Sequence, residues 1–202
     1  MVRKDLIKKY FSRFSKTYCR EAYIQKKTAK DLIDFGRELI YGIGVDLGSG
    51  TGYIADFLKD KNISIINIDL SRDMLKAVEF GINIQGDIEN LPFKDNSFNF
   101  VISSFSLHWT DLNKSFKEIN RILKAGGVFI VQAGGGMVFP VMATIGAKLK
   151  QVFKYAIPLK VEMLNGTQGF WVAMNHKPAP KWDRLEAIET KAFDKSMFLS
   201  AT

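Results

Sequence analysis

Two different spacings of apolar side chains divide the chain. Near the amino terminus, apolar and aromatic residues such as Leu6, Tyr10 and Phe14 recur every three or four positions, with lysines between them. That spacing predicts an amphipathic helix or helix pair over residues 3–34. From Gly44 onward, short apolar runs alternate with helical patterns, which is typical of a mostly parallel sheet covered by helices on both faces.

The apolar runs after Gly44 predict the order of strands and helices. Five strands are predicted at residues 43–47, 63–68, 82–85, 98–103 and 127–133, and four helices at 52–60, 71–80, 112–124 and 141–154. Two further runs, 157–164 and 169–175, are joined so closely that they form a hairpin with one antiparallel strand. The expected fold class is α/β: a Rossmann-like, doubly wound, mostly parallel seven-stranded sheet with an antiparallel C-terminal hairpin.

Charge adds a feature that the apolar pattern does not show. The 202 residues carry a net charge of +8, and residues 1–30 alone hold ten basic against two acidic side chains, so the remainder is neutral overall. A basic segment favours an acidic partner, such as nucleic acid, an anionic membrane or an acidic carrier protein, and a solvated helix face is the alternative. We expect a basic amphipathic helical cap at 1–36, a core at 37–177 and a polar tail at 178–202.

Residues 125–147 carry no charge and are long enough to span a bilayer. Their six glycines, with Gln132 and Pro140, instead favour a strand, a loop and a helix. The basic amino terminus lacks the continuous apolar stretch of a secretory signal. Because Cys19 is the single cysteine and cannot form an internal disulfide, we expect a cytoplasmic protein without a membrane span.

A glycine-rich segment follows the first predicted strand and opens the next helix. Asp46 precedes Gly48, Gly50 and Gly52, which have the spacing G-x-G-x-G. Glycines at a strand end let the backbone approach a ligand closely, and the helix amino terminus offers free N–H groups. Tyr53 stands where a dinucleotide-binding loop needs its third glycine, and the segment lacks the lysine of a P-loop.

Acidic residues end the second and third predicted strands. Asp69, at the end of strand two, is placed to accept hydrogen bonds from both hydroxyls of a ribose. Asp87 ends strand three beside Ile88, where a carboxylate can accept an adenine amino hydrogen next to an apolar wall. A single strand-end aspartate is often only a helix cap. Here the glycine-rich segment, Asp69 and Asp87 follow three consecutive strands in order. Together they indicate a site for a nucleoside-containing ligand.

These features resemble the class I S-adenosylmethionine-dependent methyltransferases. Later segments match that family in order, namely Leu91-Pro92-Phe93, Asp95-Asn96-Ser97-Phe98 with Val101, Leu107-His108-Trp109, and Leu123-Lys124-Ala125-Gly126-Gly127. Within the family, the chain is most similar to the malonyl-acyl-carrier-protein O-methyltransferases of biotin synthesis. That similarity rests on the segment 104–109 and on Phe11, Tyr18, Ala22 and Gln25. The resemblance extends over residues 10–127.

The resemblance implies an enzyme that binds S-adenosyl-L-methionine and methylates the carboxylate of a small acyl group, a malonyl thioester on acyl carrier protein. The implied cofactor-binding residues are Tyr18, Gln25, Asp46, Gly48, Gly50, Gly52, Asp69, Asp87, Ile88 and Ser104. Asp46 and the glycines would hold the methionine part, Asp69 the ribose, and Asp87 with Ile88 the adenine. Ser104 would lie near the sulfonium, while Tyr18 and Gln25 would close the pocket.

Ser104 and His108 are the candidate catalytic residues, and we expect no metal site. A carboxylate acceptor is already ionised at neutral pH and needs no general base. For His108, a position set by packing is the main alternative to proton transfer.

Two alternative functions remain open. After residue 127 the chain resembles aminopropyltransferases such as spermidine synthase, which share the fold and alkylate amines. The matching parts are residues 127–134, Lys154-Tyr155, Gly169-Phe170-Trp171, Ala192-Phe193-Asp194 and Phe198. Those enzymes have an acidic residue where this chain has Ser103 and Ser104. The second alternative is a non-catalytic module that binds nucleic acid through the basic arm. The helical spacing of the aromatic residues argues against nucleic acid as the partner.

Overall fold

The computed structural model describes residues 3–135, 139–163 and 166–177. Its strands are β1 (Gly42–Leu47), β2 (Ile63–Asp69), β3 (Ile82–Gln85), β4 (Phe98–Ser103), β5 (Leu123–Gly135), β6 (Tyr155–Met163) and β7 (Gly166–Met174). Its α-helices are α1 (Lys4–Glu21), α2 (Tyr23–Gly36), α3 (Tyr53–Leu58), α4 (Arg72–Leu75), α5 (Leu112–Ile122) and α6 (Phe139–Val152). The tail predicted at 178–202 lies outside the described residues.

All seven strands form one sheet, in the order β3-β2-β1-β4-β5-β7-β6. The five strands from β3 to β5 in that order pair in parallel. β7 runs antiparallel to both β5 and β6. This arrangement confirms the predicted fold class, including the antiparallel hairpin at the end of the sheet.

The two faces of the sheet carry two separate apolar cores. One core packs Leu32 and Ile33 of α2 and residues of α3 against Phe100 of β4. The other packs α5 and α6 against the opposite face, where Phe116 and Trp171 are fully buried. Alternation along the strands sends successive side chains to opposite cores. The helix α2 therefore belongs to the covering of the sheet, whereas no residue of α1 is buried.

The predicted helix at 71–80 is wrong in length, because α4 makes only one turn. The side-chain amide of Asn83 donates to the carbonyls of Leu75 and Val78, at 3.3 and 2.9 Å. That of Asn67 donates to the carbonyl of Phe80 at 2.8 Å. These bonds satisfy backbone carbonyls that a longer helix would have paired internally. The helix therefore ends early, and the chain continues into β3.

The end of the helix predicted at 112–124 is also wrong, because α5 stops at Ile122 and β5 begins at Leu123. Leu123 is extended and pairs with Phe98. In the uncharged run at 125–147, residues 125–135 belong to β5 and residues 139–147 to α6, which confirms the predicted strand and helix; residues 136–138, where the predicted loop would lie between them, are outside the described residues. Within the part of the chain that the structure describes, none of the helices combines the length and hydropathy needed to cross a membrane.

The contact between β1 and β4 leaves no room for a side chain at Gly44. A methyl group there would lie 2.1 Å from the Phe100 ring, which faces Gly44 across the paired strands. We expect Gly44→Ala to lower the free energy of unfolding by about 1–3 kcal/mol through overpacking, measured by urea denaturation. The matched control is Gly126→Ala, where a methyl group meets no atom within 4 Å. Equal losses of stability in the two variants would contradict the proposed clash. So would the failure of Phe100→Leu, added to the Gly44→Ala protein, to restore part of the lost stability.

Candidate functional site

A cleft lies at the carboxyl ends of β1 to β4, and α1 runs across it. The space between its walls, including the part that is open to solvent, is about 930 Å³. Nine of the ten predicted cofactor-binding residues line it, namely Tyr18, Gln25, Asp46, Gly48, Gly50, Asp69, Asp87, Ile88 and Ser104. The cleft therefore brings together side chains from the ends of four strands with residues of α1 and α2.

Gly52 and His108 are the two predicted site residues that do not line the cleft. Gly52 instead precedes α3 in a left-handed conformation, with φ of 92°, which glycine adopts without steric cost. His108 is exposed and packs its ring against Trp109, with 4.8 Å between the ring centroids. The structure thus separates His108 from the other candidate residues.

The glycine-rich loop is held by backbone contacts to β2 and by close packing against the segment after β4. The Gly48 amide donates to the carbonyl of Ile68 at 2.8 Å. Gly48 has φ of 72°, and a methyl group on it would lie 2.2 Å from Cβ of Ser106. Only glycine satisfies both the conformation and the space. The loop backbone therefore packs closely at the floor of the cleft.

Asp69 joins the glycine-rich loop to the loop that follows β2. Its Oδ2 accepts from the Gly50 amide at 3.0 Å, and its Oδ1 accepts from the Ser71 amide at 2.8 Å. Burial raises the pKa of Asp69, and these two amide bonds offset only part of that rise. Each carboxylate oxygen has a second lone-pair direction. Asp69 therefore remains able to accept hydrogen bonds from a ligand in the cleft.

Asp46 is a buried carboxylate whose charge is incompletely satisfied. Its side chain is 1% exposed, and its Oδ2 has no hydrogen-bond partner among the described residues. Burial, followed by the charge of Asp69, raises the pKa of Asp46 well above its ordinary value. The hydroxyls of Ser49 and Ser104 in the cleft also lack partners within the described part of the chain. A ligand that donates hydrogen bonds would relieve the cost of these buried groups.

Sequence reasoning placed Ser104 in the site but missed the contacts that Ser103, Phe105 and Ser106 make at the end of β4. The hydroxyls of Ser103 and Ser106 both lie within hydrogen-bond distance of the Leu47 carbonyl, at 3.1 and 2.7 Å. Phe105 has φ of 54°, and its amide donates to Gln132 Oε1 at 3.3 Å. A left-handed conformation strains a bulky residue and persists only where surrounding contacts impose it. The tight contact of Ser106 with Gly48 exists only in the folded chain, so the sequence carried no signal for it.

Aromatic residues form the wall beneath α1. The ring of Phe11 meets the edge of Trp109 at 6.1 Å, and Tyr18 stacks on Tyr53 at 6.5 Å. Burial raises the pKa of Tyr18 to about 12, with smaller contributions from Tyr53 and Asp69. At neutral pH the phenol therefore remains a hydrogen-bond donor. The described residues contain no cluster of three or more His, Cys, Asp or Glu that could hold a metal ion.

Residues 45–131 match a family model described as a methyltransferase domain. The mitochondrial arginine-hydroxylase NDUFAF5 of Rattus norvegicus is 37% identical over 119 residues, covering 56% of this chain and 34% of that protein. The malonyl-[acyl-carrier protein] O-methyltransferase of Hamiltonella defensa is 31% identical over 134 residues, covering 64% of this chain and 52% of that protein. The chain therefore spans between a third and about half of the length of these relatives.

A solved structure of an S-adenosylmethionine-dependent methyltransferase from Thermotoga maritima shares the fold. The TM-score is 0.65 at 21% sequence identity, and the match covers 82% of this chain and 98% of that chain. The matching family model begins within β1 and ends within β5, so it includes the strand ends that build the cleft. Residues 45–131 therefore match a methyltransferase domain model, and the sheet has the fold of a solved S-adenosylmethionine-dependent methyltransferase.

Proposed function

We propose that this chain transfers a methyl group from S-adenosylmethionine to the free carboxylate of a malonyl thioester carried by an acyl carrier protein. The observation that most supports binding of this cofactor is the series of carboxylates at three neighbouring strand ends. Asp46, Asp69 and Asp87 all line the cleft. The similarity to malonyl-[acyl-carrier protein] O-methyltransferases supports the acceptor.

The polar groups of the cleft fit the parts of this cofactor. The unpartnered oxygen of Asp46, beside the backbone of Gly48 and Gly50, suits the amino group of the methionine part. Asp69 is already oriented by two amide bonds and would accept the ribose hydroxyls. Asp87 and Ile88 would bind the adenine. Together these residues would fix the orientation of the cofactor.

Bound S-adenosylmethionine supplies a methyl group on a positively charged sulfur, which an acceptor displaces in line. The residues of this chain would position the acceptor and exclude water from it. Such positioning supplies a large part of the rate in a two-reactant transfer. The acceptor carboxylate is ionised at neutral pH, so Ser104 and the protonated phenol of Tyr18 would act as hydrogen-bond donors and not as bases. The position of His108 outside the cleft agrees with a reaction that needs no general base.

The basic segment supplies a surface for an acidic carrier protein. Lys9, Arg13 and Lys16 are exposed on α1 and lie outside the cleft lining, whereas Lys8 lines the cleft. Leu6 and Tyr10 add exposed apolar surface on the same helix. Complementary charge raises the rate of encounter with an acidic protein. We therefore assign carrier docking to the outer side of α1.

The arginine-hydroxylase relative supports a second candidate, oxidation of an arginine side chain, because it is 37% identical over more than half of this chain. One assay distinguishes the two. Purified protein with radiolabelled S-adenosylmethionine is tested on malonyl carrier protein, malonyl-coenzyme A, polyamines and RNA, and separately on an arginine peptide in air-saturated buffer with an added reductant, because hydroxylation needs dioxygen and electrons; product masses are recorded. A methyl ester on the malonyl group supports the proposal. A product heavier by one oxygen on the peptide, or alkylation confined to polyamines or RNA, would overturn it.

The role proposed for Asp69 is tested by cofactor binding. We expect Asp69→Ala to weaken binding of S-adenosylhomocysteine by about 1.5–3 kcal/mol, because hydrogen bonds to a charged acceptor are lost. Isothermal titration calorimetry measures this change. Asp60→Ala, which removes an exposed aspartate outside the cleft, is the control. Unchanged affinity in a folded Asp69→Ala protein would remove Asp69 from the site.

The buried carboxyl of Asp46 predicts a pH dependence of stability. Because its pKa is raised in the folded state, the native protein keeps a proton that the unfolded chain has already lost. The free energy of unfolding therefore falls as pH rises from the ordinary carboxyl range, about 3.9, through the raised pKa. We expect Asp46→Asn to make this fall shallower in urea titrations without cofactor, the remainder being due in part to Asp69.

The same variant should lose much of the stabilisation that S-adenosylhomocysteine gives to the wild-type protein at neutral pH, because an amide cannot become the carboxylate that would pair with the amino group of the ligand. Asp60→Asn should change neither the slope nor the effect of ligand. A slope in Asp46→Asn equal to that of the wild type would show that Asp46 does not titrate in this range.

Charge reversal tests the docking surface. Replacing Lys9, Arg13 and Lys16 together with glutamate should raise the KM for malonyl carrier protein at least ~10-fold at low salt, and less at high salt. The KM for malonyl-coenzyme A should change much less, because that substrate has no acidic protein surface. The matched control reverses Lys59, Lys61 and Lys94, which are exposed outside α1. Equal losses with both substrates would mean that α1 shapes the active site instead of binding the carrier.

A further inference from the structure

The helix α1 touches the rest of the protein at points spread along its length. Phe11 meets Trp109, and Tyr18 stacks on Tyr53. The Ser12 hydroxyl lies 2.8 Å from that of Ser71. The segments contacted in this way follow β4, β1 and β2 respectively. Because no residue of α1 is buried, these few contacts and one ion-pair cluster hold the helix across the cleft.

The ion-pair cluster lies in the first turn of α1. The Lys4 ammonium is 2.6 Å from Asp87 Oδ2 and 2.7 Å from Glu89 Oε2. The side chain of Lys4 is 30% exposed and that of Glu89 only 10%. Partial burial alone would lower the pKa of Lys4, but the hydrogen bonds and charges of the two carboxylates raise it. Lys4 is therefore charged at neutral pH and faces both carboxylates.

The two carboxylates that bind Lys4 also organise the loops around them. Asp87 Oδ1 accepts from the Glu89 amide at 3.0 Å. Glu89 Oε1 accepts from the Asp111 amide at 2.8 Å, immediately before α5. Lys4 thus connects α1 to the loop after β3 and, through Glu89, to the start of α5. An exposed pair within one helix, such as Lys30 with Asp34, makes no comparable connection.

We propose that Lys4 is a positioning residue for the cofactor: by bridging Asp87 and Glu89 it holds α1 across the cleft and orients Asp87, so that cofactor release requires this bridge to open. The inference rests on the proposed function, because it takes Asp87 to be part of the cofactor site. Lys4 also supplies a positive charge next to two neighbouring carboxylates that would otherwise repel each other. Its loss should loosen the helix and the Asp87 loop together.

The test compares Lys4→Gln, Lys4→Arg and Lys30→Gln. Release of S-adenosylhomocysteine is followed by stopped-flow displacement. We expect Lys4→Gln to speed release by about three- to tenfold, the effect of losing a partly buried bridge to two carboxylates. Arginine can also bridge two carboxylates, so Lys4→Arg should restore most of the slow release. Lys30→Gln loses an ion pair away from the cleft and should release ligand at the wild-type rate.

Hydrogen exchange provides a readout that needs no ligand. In the free protein, amides of residues 4–21 should exchange faster in Lys4→Gln than in the wild type or Lys30→Gln. Wild-type release and wild-type exchange in Lys4→Gln would overturn the inference. Failure of Lys4→Arg to slow release would also overturn it, because the bridge would then not be the cause. If the wild-type protein binds no S-adenosylhomocysteine, the proposed function fails, and the exchange of residues 4–21 still decides whether Lys4 holds α1.

Discussion

The cleft depends on the direction in which the chain leaves two neighbouring strands. β1 and β4 lie side by side, but the chain continues from β1 to β2 on one side and from β4 to β5 on the other. Their loops therefore diverge and leave a crevice at the carboxyl ends of the strands. The strands approach closely because Gly44 faces the Phe100 ring without a side chain of its own. Ser106 can then pack against Gly48, which connects the two loops at the floor of the cleft.

The same region concentrates groups that reduce the stability of the fold. Asp46 is buried near the half-buried Asp69, and loss of solvent contact raises the pKa of both. Phe105 adds a strained backbone conformation. Unsatisfied charge and strain persist at sites where a ligand or the surrounding structure compensates for them. The cores on the two faces of the sheet are apolar and closely packed, so they offset these costs away from the site.

The sequence was informative wherever one local pattern decided the structure. Apolar runs predicted the strands, and glycine spacing with Asp69 and Asp87 predicted most of the cleft. The prediction was wrong for α4, where the amides of Asn67 and Asn83 bind carbonyls and end the helix. Such side-chain contacts form only in the folded chain and leave no periodic signal in the sequence. Lys4 was hidden for the same reason, because its two acidic partners lie more than eighty residues away.

The basic side chains of residues 1–30 carry the same charge, but they make different contacts and have different physical roles. Lys4 is tied to two carboxylates, Lys8 lines the cleft, and Lys9 is exposed outside it. These differences follow from the helical period, which sends residues 4 and 8 to one side of α1. The inner side of α1 therefore faces the cleft, while its outer side is exposed. Since α1 has no buried residue, a partner that binds its outer side and favours a shifted helix position would also change the contacts of Lys4.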